Sequence, residues 1–231
     1  RVLAPKGALP QPAQKLDTAM PLQANEMLIS VDTLNVDSAS FTQIKEACQG
    51  DKEAMKAMIL GIVKERGKLQ NPVTGSGGML LGRVKEVGAD FPGQVKPGTP
   101  IATLVSLSLT PLVILHIKDI HLESDQVDIE GEAILFETGI FAKLPDDLDH
   151  RLALSALDVA GAPAQTARLL KPGDSVVILG AEGKSGVLCA TQARMSVGDA
   201  GRVIGICHSP SQTEELRALK VCDTILMADA R

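Results

Sequence analysis

The chain has 231 residues, 45% of them hydrophobic and 22% charged, which is enough apolar material for one large domain or two ordinary ones and too little charge for a disordered chain. Four Phe with no Tyr or Trp disfavour base-stacking platforms and aromatic interface anchors, and a net charge of −5 argues against a nucleic-acid partner. A small cationic substrate fits that balance. The four cysteines, Cys48, Cys189, Cys207 and Cys222, form no CxxC and pair with no His at metal-ligand spacing, so a structural zinc is disfavoured. Without a secretory signal, or an apolar run near the roughly 18 residues of a membrane span, the pattern reads as a cytoplasmic protein with free thiols. Arg1 in place of an initiator Met suggests a start that was processed or left out.

In chain order, Glu26 to Thr33 alternates apolar and polar side chains as a half-buried strand does. From Asp51, a plausible N-cap, to Lys64 the period turns helical, with Met55, Met58, Ile59, Ile62 and Val63 on one face and Gly67 as the stop. A glycine cluster follows at Gly75, Gly77, Gly78 and Gly82, then the strand-like LLGRVKEVG, a turn at Lys96-Pro97-Gly98 and the run IATLVSLSL. More alternation runs from Ile129 to Ala142, and Pro145-Asp146-Asp147 closes the section. Residues 1–150 thus read as a β-rich domain with one inserted helix.

Residues 151–231 have another rhythm. Arg151 to Leu170 is apolar and Ala-rich like a helix, which Pro163 must kink or restart. After the turn Lys171-Pro172-Gly173-Asp174, the continuous apolar run SVVILG reads as a strand covered on both faces. A glycine-led helix, the strand RVIGIC, a helix opened by the capping box Ser211-Gln212-Thr213-Glu214 and the strand TILMA complete a β-α-β-α-β unit. That is one mononucleotide-binding half of a doubly wound fold. Only this half fits before Arg231, so the sequence reads as a fragment or the ordered part of a longer enzyme.

Gly180-Ala181-Glu182-Gly183-Lys184-Ser185-Gly186 sits at the first strand-to-helix junction, where glycines let the backbone turn sharply and approach a pyrophosphate at a helix N-terminus. The spacing is GxxGxxG instead of GxGxxG, and the competing reading is that the glycines only permit close helix–strand packing. Gly183-Lys184-Ser185 also matches the end of a P-loop. The earlier glycine that motif needs is Ile178, so the loop is too short to wrap a triphosphate. The second strand ends Ile206-Cys207-His208-Ser209, with neither the acid that would accept a ribose 2′-hydroxyl nor an Arg for a 2′-phosphate. NAD versus NADP is therefore not readable there, and His208 either bonds the ribose or is a solvated loop residue.

The β-rich section, the segment GSGGMLLGRVKEVG, the KPG turn and the Rossmann unit together resemble the medium-chain dehydrogenase/reductase family. More sharply, KGALPQPAQKLD, LNVDSASFTQI, NPVTGSGGMLLGRV, TLVSLSLTPL and LDVAGAPAQTARLLKPGDSVVILGAEGKSG resemble the L-erythro-3,5-diaminohexanoate dehydrogenases. The resemblance implies an α/β protein with a GroES-like N-terminal domain and an incomplete Rossmann domain. It further implies a homodimer, and an NAD-linked oxidative deamination in lysine fermentation that gives 5-amino-3-oxohexanoate, ammonia and NADH. Zinc members of the wider family carry ligands in windows that here hold Val36-Asp37-Ser38, Gly75-Ser76-Gly77 and Ser155 to Asp158. Hydroxyls and lone carboxylates make no zinc set, so a zinc-independent member is expected. His116 and His121 read as surface residues.

Oxidation of an amine needs a general base, and a doubly cationic amino acid needs acidic partners. Asp37 in NVDSAS is the first candidate, with capping of a helix near Ser40 as its competing role. Asp158 in LDVAGAP is the second, and it could equally cap a helix restarted by Pro163. Ser76 either donates to substrate or is a turn residue. Thr166 either touches the nicotinamide side or bonds back to its own helix. The rival activity is a zinc-free quinone or enoyl reductase that uses NADPH, and a third reading is a dinucleotide-binding protein without chemistry.

Overall fold

The computed structural model describes residues 1–229, with the backbone alone at Gln212. The chain is α/β and divides into two compact units, Arg1–Asp158 and Val159–Arg231.

The first unit is built on strand β3 (Glu26–Val36), whose apolar alternation continues well past Thr33. Short β1 (Val2–Ala4) and β2 (Lys15–Leu16) pair with each other beside the main sheet. The main sheet adds β4 (Gly78–Val87), β5 (Pro100–Thr103), β6 (Leu112–His121), β7 (Gln126–Phe136) and β8 (Phe141–Lys143) in the order β6-β7-β3-β4-β5-β8, with every pair antiparallel. One expected strand from Ile129 to Ala142 is in fact two, because Gly139 turns the chain back. Strand β6 follows the run IATLVSLSL and pairs all along β7.

Two helices, not one, interrupt this unit: α1 (Ser38–Ala47) and α2 (Lys52–Arg66). Helix α1 is short and carries hydroxyl and charged side chains, so its period is faint in the sequence, yet it buries Ser40, Phe41 and Ile44. Asp51 caps α2 by accepting from the N–H groups of Glu53 (2.8 Å) and Ala54 (3.3 Å), and Gly67 ends it in the left-handed region at φ 63°. Its buried stripe is Met55, Ile59 and Val63, while Met58 and Ile62 are only partly covered. These side chains join Met27, Ile29, Leu34, Leu80, Ile120 and Val127 in the main core. Lys68, just past Gly67, is fully buried and donates to the carbonyls of Pro10 (2.8 Å) and Gln11 (3.0 Å); burial, with Arg66 nearby, lowers its pKa to about 8.

Helix α3 (His150–Asp158) packs on β3 and β4 and belongs to the first unit. Its tie to the sheet is polar. Asp128 accepts from Thr33 Oγ1 (3.0 Å), lies 2.8 Å from His121 Nε2 and pairs with Arg151. His121 is therefore a half-buried structural partner and not a plain surface residue, whereas His116 is exposed.

In the second unit, the apolar stretch to Leu170 continues as a separate helix, α4 (Gly161–Leu169), after a turn at Val159-Ala160. The break precedes Pro163, as expected for a residue whose ring excludes the helical carbonyl behind it. Ala160 occupies the N-cap with no side-chain hydrogen bond. Strands β9 (Ser175–Leu179), β10 (Arg202–Cys207) and β11 (Thr224–Met227) form a parallel sheet in the order β11-β10-β9, with α5 (Lys184–Val197) and α6 (Pro210–Ala218) as crossovers. Val176 and Ile178 pack inward, but Val177 is 57% and Leu179 66% exposed. Among the described residues the sheet is thus covered on one face, where SVVILG suggested cover on both. The cap of α6 is Ser209 with Pro210 in the first turn, not the box at Ser211, because proline's fixed φ starts the helix early. The Gln212 side chain of that box lies outside the described residues.

The Asp128 tie carries a pH dependence. Burial alone would raise its pKa, but the bonds from His121 and Thr33 and the Arg151 charge outweigh that and hold it below the ordinary carboxylate value. A depressed carboxylate contributes stability above its unfolded pKa and loses it as pH falls through the folded value. Asp128→Asn should therefore cost on the order of 1–2 kcal/mol at pH 7, and the deficit should vanish in strong acid, measured by urea melts at both pH values.

Candidate functional site

The end of β3 places Asp37 at the N-cap of α1, where its Oδ1 accepts from the N–H of Ala39 at 3.1 Å. The same Oδ1 accepts from Ser76 Oγ at 3.0 Å. Ser76 Oγ is 2.6 Å from Ser40 Oγ, which is in turn 2.6 Å from Thr74 Oγ1. Asp37 and Ser76, picked out separately in the sequence, are thus joined by a hydrogen bond, and Asp37 fills the capping role. Among the described residues Oδ2 of Asp37 has no hydrogen-bond partner. Next to it, Ser38 Oγ donates to Asp125 Oδ2 at 2.8 Å, which adds a second carboxylate to this corner.

Two elements of this cluster were not foreseen. Ser40 and Thr74 are hydroxyls without a motif, and the available signal was only their spacing: Ser40 in the first turn after Asp37, Thr74 two residues before Ser76. The local fold that joins them is glycine-dependent. A Cβ on Gly77 would lie 2.6 Å from Leu69 O and from Ser108 N, and one on Gly78, at φ +123°, only 2.0 Å from Asn35 O. Asp158 lies half-buried at the end of α3. Among the described residues, no group of three or more His, Cys, Asp or Glu could hold a metal ion.

The glycine loop of the second unit lies between β9 and α5. Gly180 adopts φ +67° with open space where a Cβ would point, so its role is conformational. At Gly186 a Cβ would sit 2.1 Å from Gly180 O and 2.7 Å from Ala181 Cα, so this glycine is required by packing. Ala181 is fully buried beneath the loop with Cys207. Gly183 serves neither purpose: its Cβ would find only Gly180 O, at 3.5 Å. It is the N-cap of α5 and offers no side-chain acceptor, which leaves the loop face of that helix start without a built-in cap. An open glycine before uncapped N–H donors suits a phosphate.

The end of β10 has no acid of its own, but a carboxylate reaches it from this loop. Glu182 Oε1 accepts from the backbone N–H groups of His208 (2.6 Å) and Ser209 (3.2 Å). Burial pushes the Glu182 pKa up, but those N–H bonds, first that of His208, bring it net below the usual value and keep the group charged. The Cys207 thiol is pushed up by burial, with the Glu182 charge adding to it. The His208 side chain is exposed. Thr166 donates to Ala162 O at 3.0 Å within α4, the local role.

The first 145 residues match the sequence profile of the L-erythro-3,5-diaminohexanoate dehydrogenase N-terminal domain. A protein of Acetoanaerobium sticklandii named L-erythro-3,5-diaminohexanoate dehydrogenase is 56% identical over 100% of this chain and 68% of its own length. The chain belongs to the L-erythro-3,5-diaminohexanoate dehydrogenase family. A second relative of that name, from Fusobacterium nucleatum subsp. nucleatum, is 55% identical over 100% of the chain and 67% of its own. Its relatives being dehydrogenases, the activity class is oxidoreductase. The fold is shared with a mycobacterial quinone oxidoreductase at TM-score 0.56 and 16% identity, covering 96% of this chain and 56% of that one. The GroES-like and Rossmann architecture read from the sequence is the one found.

The glycines separate by role in a direct test. Gly186→Ala should cost about 1–3 kcal/mol in a urea melt, because α5 or the loop backbone must move. Gly183→Ala should stay within about 0.5 kcal/mol.

Proposed function

We propose that this family member oxidatively deaminates L-erythro-3,5-diaminohexanoate with NAD, yielding 5-amino-3-oxohexanoate and ammonia, with Asp37 as the group that takes the proton from the reacting ammonium. The observation that carries the reading is the Asp37 carboxylate: one oxygen is fixed by Ala39 N–H and Ser76 Oγ, and the other is left for a ligand. The relatives' names supply the substrate.

The residues fit the demands of that reaction. An amine carbon releases hydride only when its nitrogen has a free lone pair, so the ammonium must first lose a proton to a base within hydrogen-bond reach. Fixing Oδ1 through two donors orients Oδ2, and the chain of hydroxyls from Ser76 through Ser40 to Thr74 gives Ser76 alternative donors and acceptors as the charge on Asp37 changes. Asp125, bonded to Ser38, adds negative charge for a substrate that carries two ammonium groups. The glycine loop Gly180 to Gly186 and the start of α5 would hold the dinucleotide pyrophosphate, and when bound that cofactor accepts the hydride. Water then adds to the iminium carbon of the substrate, and ammonia leaves as the ketone forms.

Incubation of the full-length protein with NAD and 3,5-diaminohexanoate should yield NADH and ammonia in equal amounts. NADH formed without ammonia would overturn the deamination. Asp37→Asn should lower kcat by about 10²- to 10⁴-fold with NADH binding retained. Ser76→Ala, which removes a positioning hydrogen bond only, should cost about tenfold.

A further inference from the structure

The end of the second strand in a dinucleotide-binding unit is where the adenosine ribose is read, and selection between a 2′-hydroxyl and a 2′-phosphate is made there. In this chain the residues at that point, Cys207-His208-Ser209, offer only backbone donors, an exposed His and hydroxyls. Ser209 Oγ and Ser211 Oγ lie 3.3 Å apart at the start of α6, and Ser209 provides no side-chain cap. Uncapped N–H groups and serine hydroxyls at a helix start would, left to themselves, suit a phosphate.

They are not left to themselves. The Glu182 carboxylate reaches across from the glycine loop and takes the N–H groups of His208 and Ser209. The next residue, Pro210, has no N–H to offer. Stability gives a poor account of the arrangement, because Glu182 Oε2 is buried without a nitrogen or oxygen partner and only the weak Cys207 thiol donor stands beside the carboxylate, and a buried, poorly paired carboxylate oxygen is a cost. A charge kept at that cost, on the donors a phosphate would use, points to a role in recognition.

We propose that Glu182 sets the cofactor preference, admitting a dinucleotide with a free 2′-hydroxyl and excluding a 2′-phosphorylated one. It does so twice over: its charge repels the phosphate dianion, and its Oε1 occupies the two backbone donors that would otherwise neutralise it. The acid that such units place at the end of the second strand is here supplied from the glycine loop, between the first and second glycines. The inference rests on the dinucleotide reading of that loop.

The test is equilibrium binding of NADH and NADPH, followed by nicotinamide fluorescence, to full-length wild type, Glu182→Gln and Glu182→Ala. Wild type should bind NADH about 30-fold more tightly than NADPH, a difference of about 2 kcal/mol. Glu182→Gln, similar in shape and uncharged, should narrow that ratio to about threefold, and Glu182→Ala, which also frees both N–H groups, should narrow it at least as far. In both the change should come mainly from tighter NADPH binding. A thermal melt confirms that each variant is folded, and the Gln variant keeps the test open should the Ala variant not fold. Equal binding of both dinucleotides by wild type, or an unchanged ratio in folded Glu182→Gln, would overturn the role of Glu182 while leaving the loop a dinucleotide site. Wild type that binds neither would overturn the dinucleotide reading itself, and this inference with it.

Discussion

The close approach of Gly78 to the end of β3 is the constraint on which the proposed Asp37 site depends. Asp37 N donates to Gly77 O at 3.1 Å and Val36 N to Asp125 O at 2.9 Å, so β3 is held on both sides up to its last residue. At Gly78 a Cβ would meet Asn35 O and Asp37 N, so this pairing requires glycine there. The result is that Ser76, a loop residue, stands beside Asp37, a strand-end residue, at a distance set by a sheet register and not by loop conformation. A proton-accepting group needs that kind of fixation, because a misplacement of about 1 Å can cost two orders of magnitude in rate.

The second unit solves a similar problem with a different device. Here the backbone approach is between Gly186 and the Gly180-Ala181 peptide, and it lets α5 start directly over the end of β9. With the loop so compressed, Glu182 has one direction in which to extend, and it meets the next strand's end. Packing of small residues, Ala181 and Ala190 among them, thus determines where a charge is displayed. Local sterics and electrostatic selectivity are linked through a single turn.

Much of this was legible in the sequence, and the failures have physical causes. Long amphipathic or alternating segments, β3 and α2, announced themselves because burial on one face leaves a period. The glycine loop was recognisable from its flanking strand and helix. Helix α1 was legible only as a helix near Ser40 with Asp37 as its cap, since its buried face includes Ser40, whose hydroxyl is satisfied by Thr74 and Ser76 and so hides as a polar residue. The bare face of the parallel sheet was misread because an apolar run reports hydrophobicity, not what lies above it. The reach of Glu182 to the end of β10 was invisible because a side chain extended across a turn leaves no periodicity, and the strand end itself carries no acid.

Lys68 shows how one buried charge can reach well beyond its own position. The leading segment around Pro10 and Gln11 has no strand or helix of its own, yet both carbonyls are held by the Lys68 ammonium, and Gln11 Oε1 in turn accepts from Ser108 Oγ at 2.6 Å. Ala13 is fully buried beside it. Segments of irregular backbone ordinarily open by themselves at small free-energy cost. This one is bolted to the far side of α2 and to the turn before β6, so its amide hydrogens should exchange with solvent on the timescale of the whole first unit opening, and the apparent loop is kinetically part of the core.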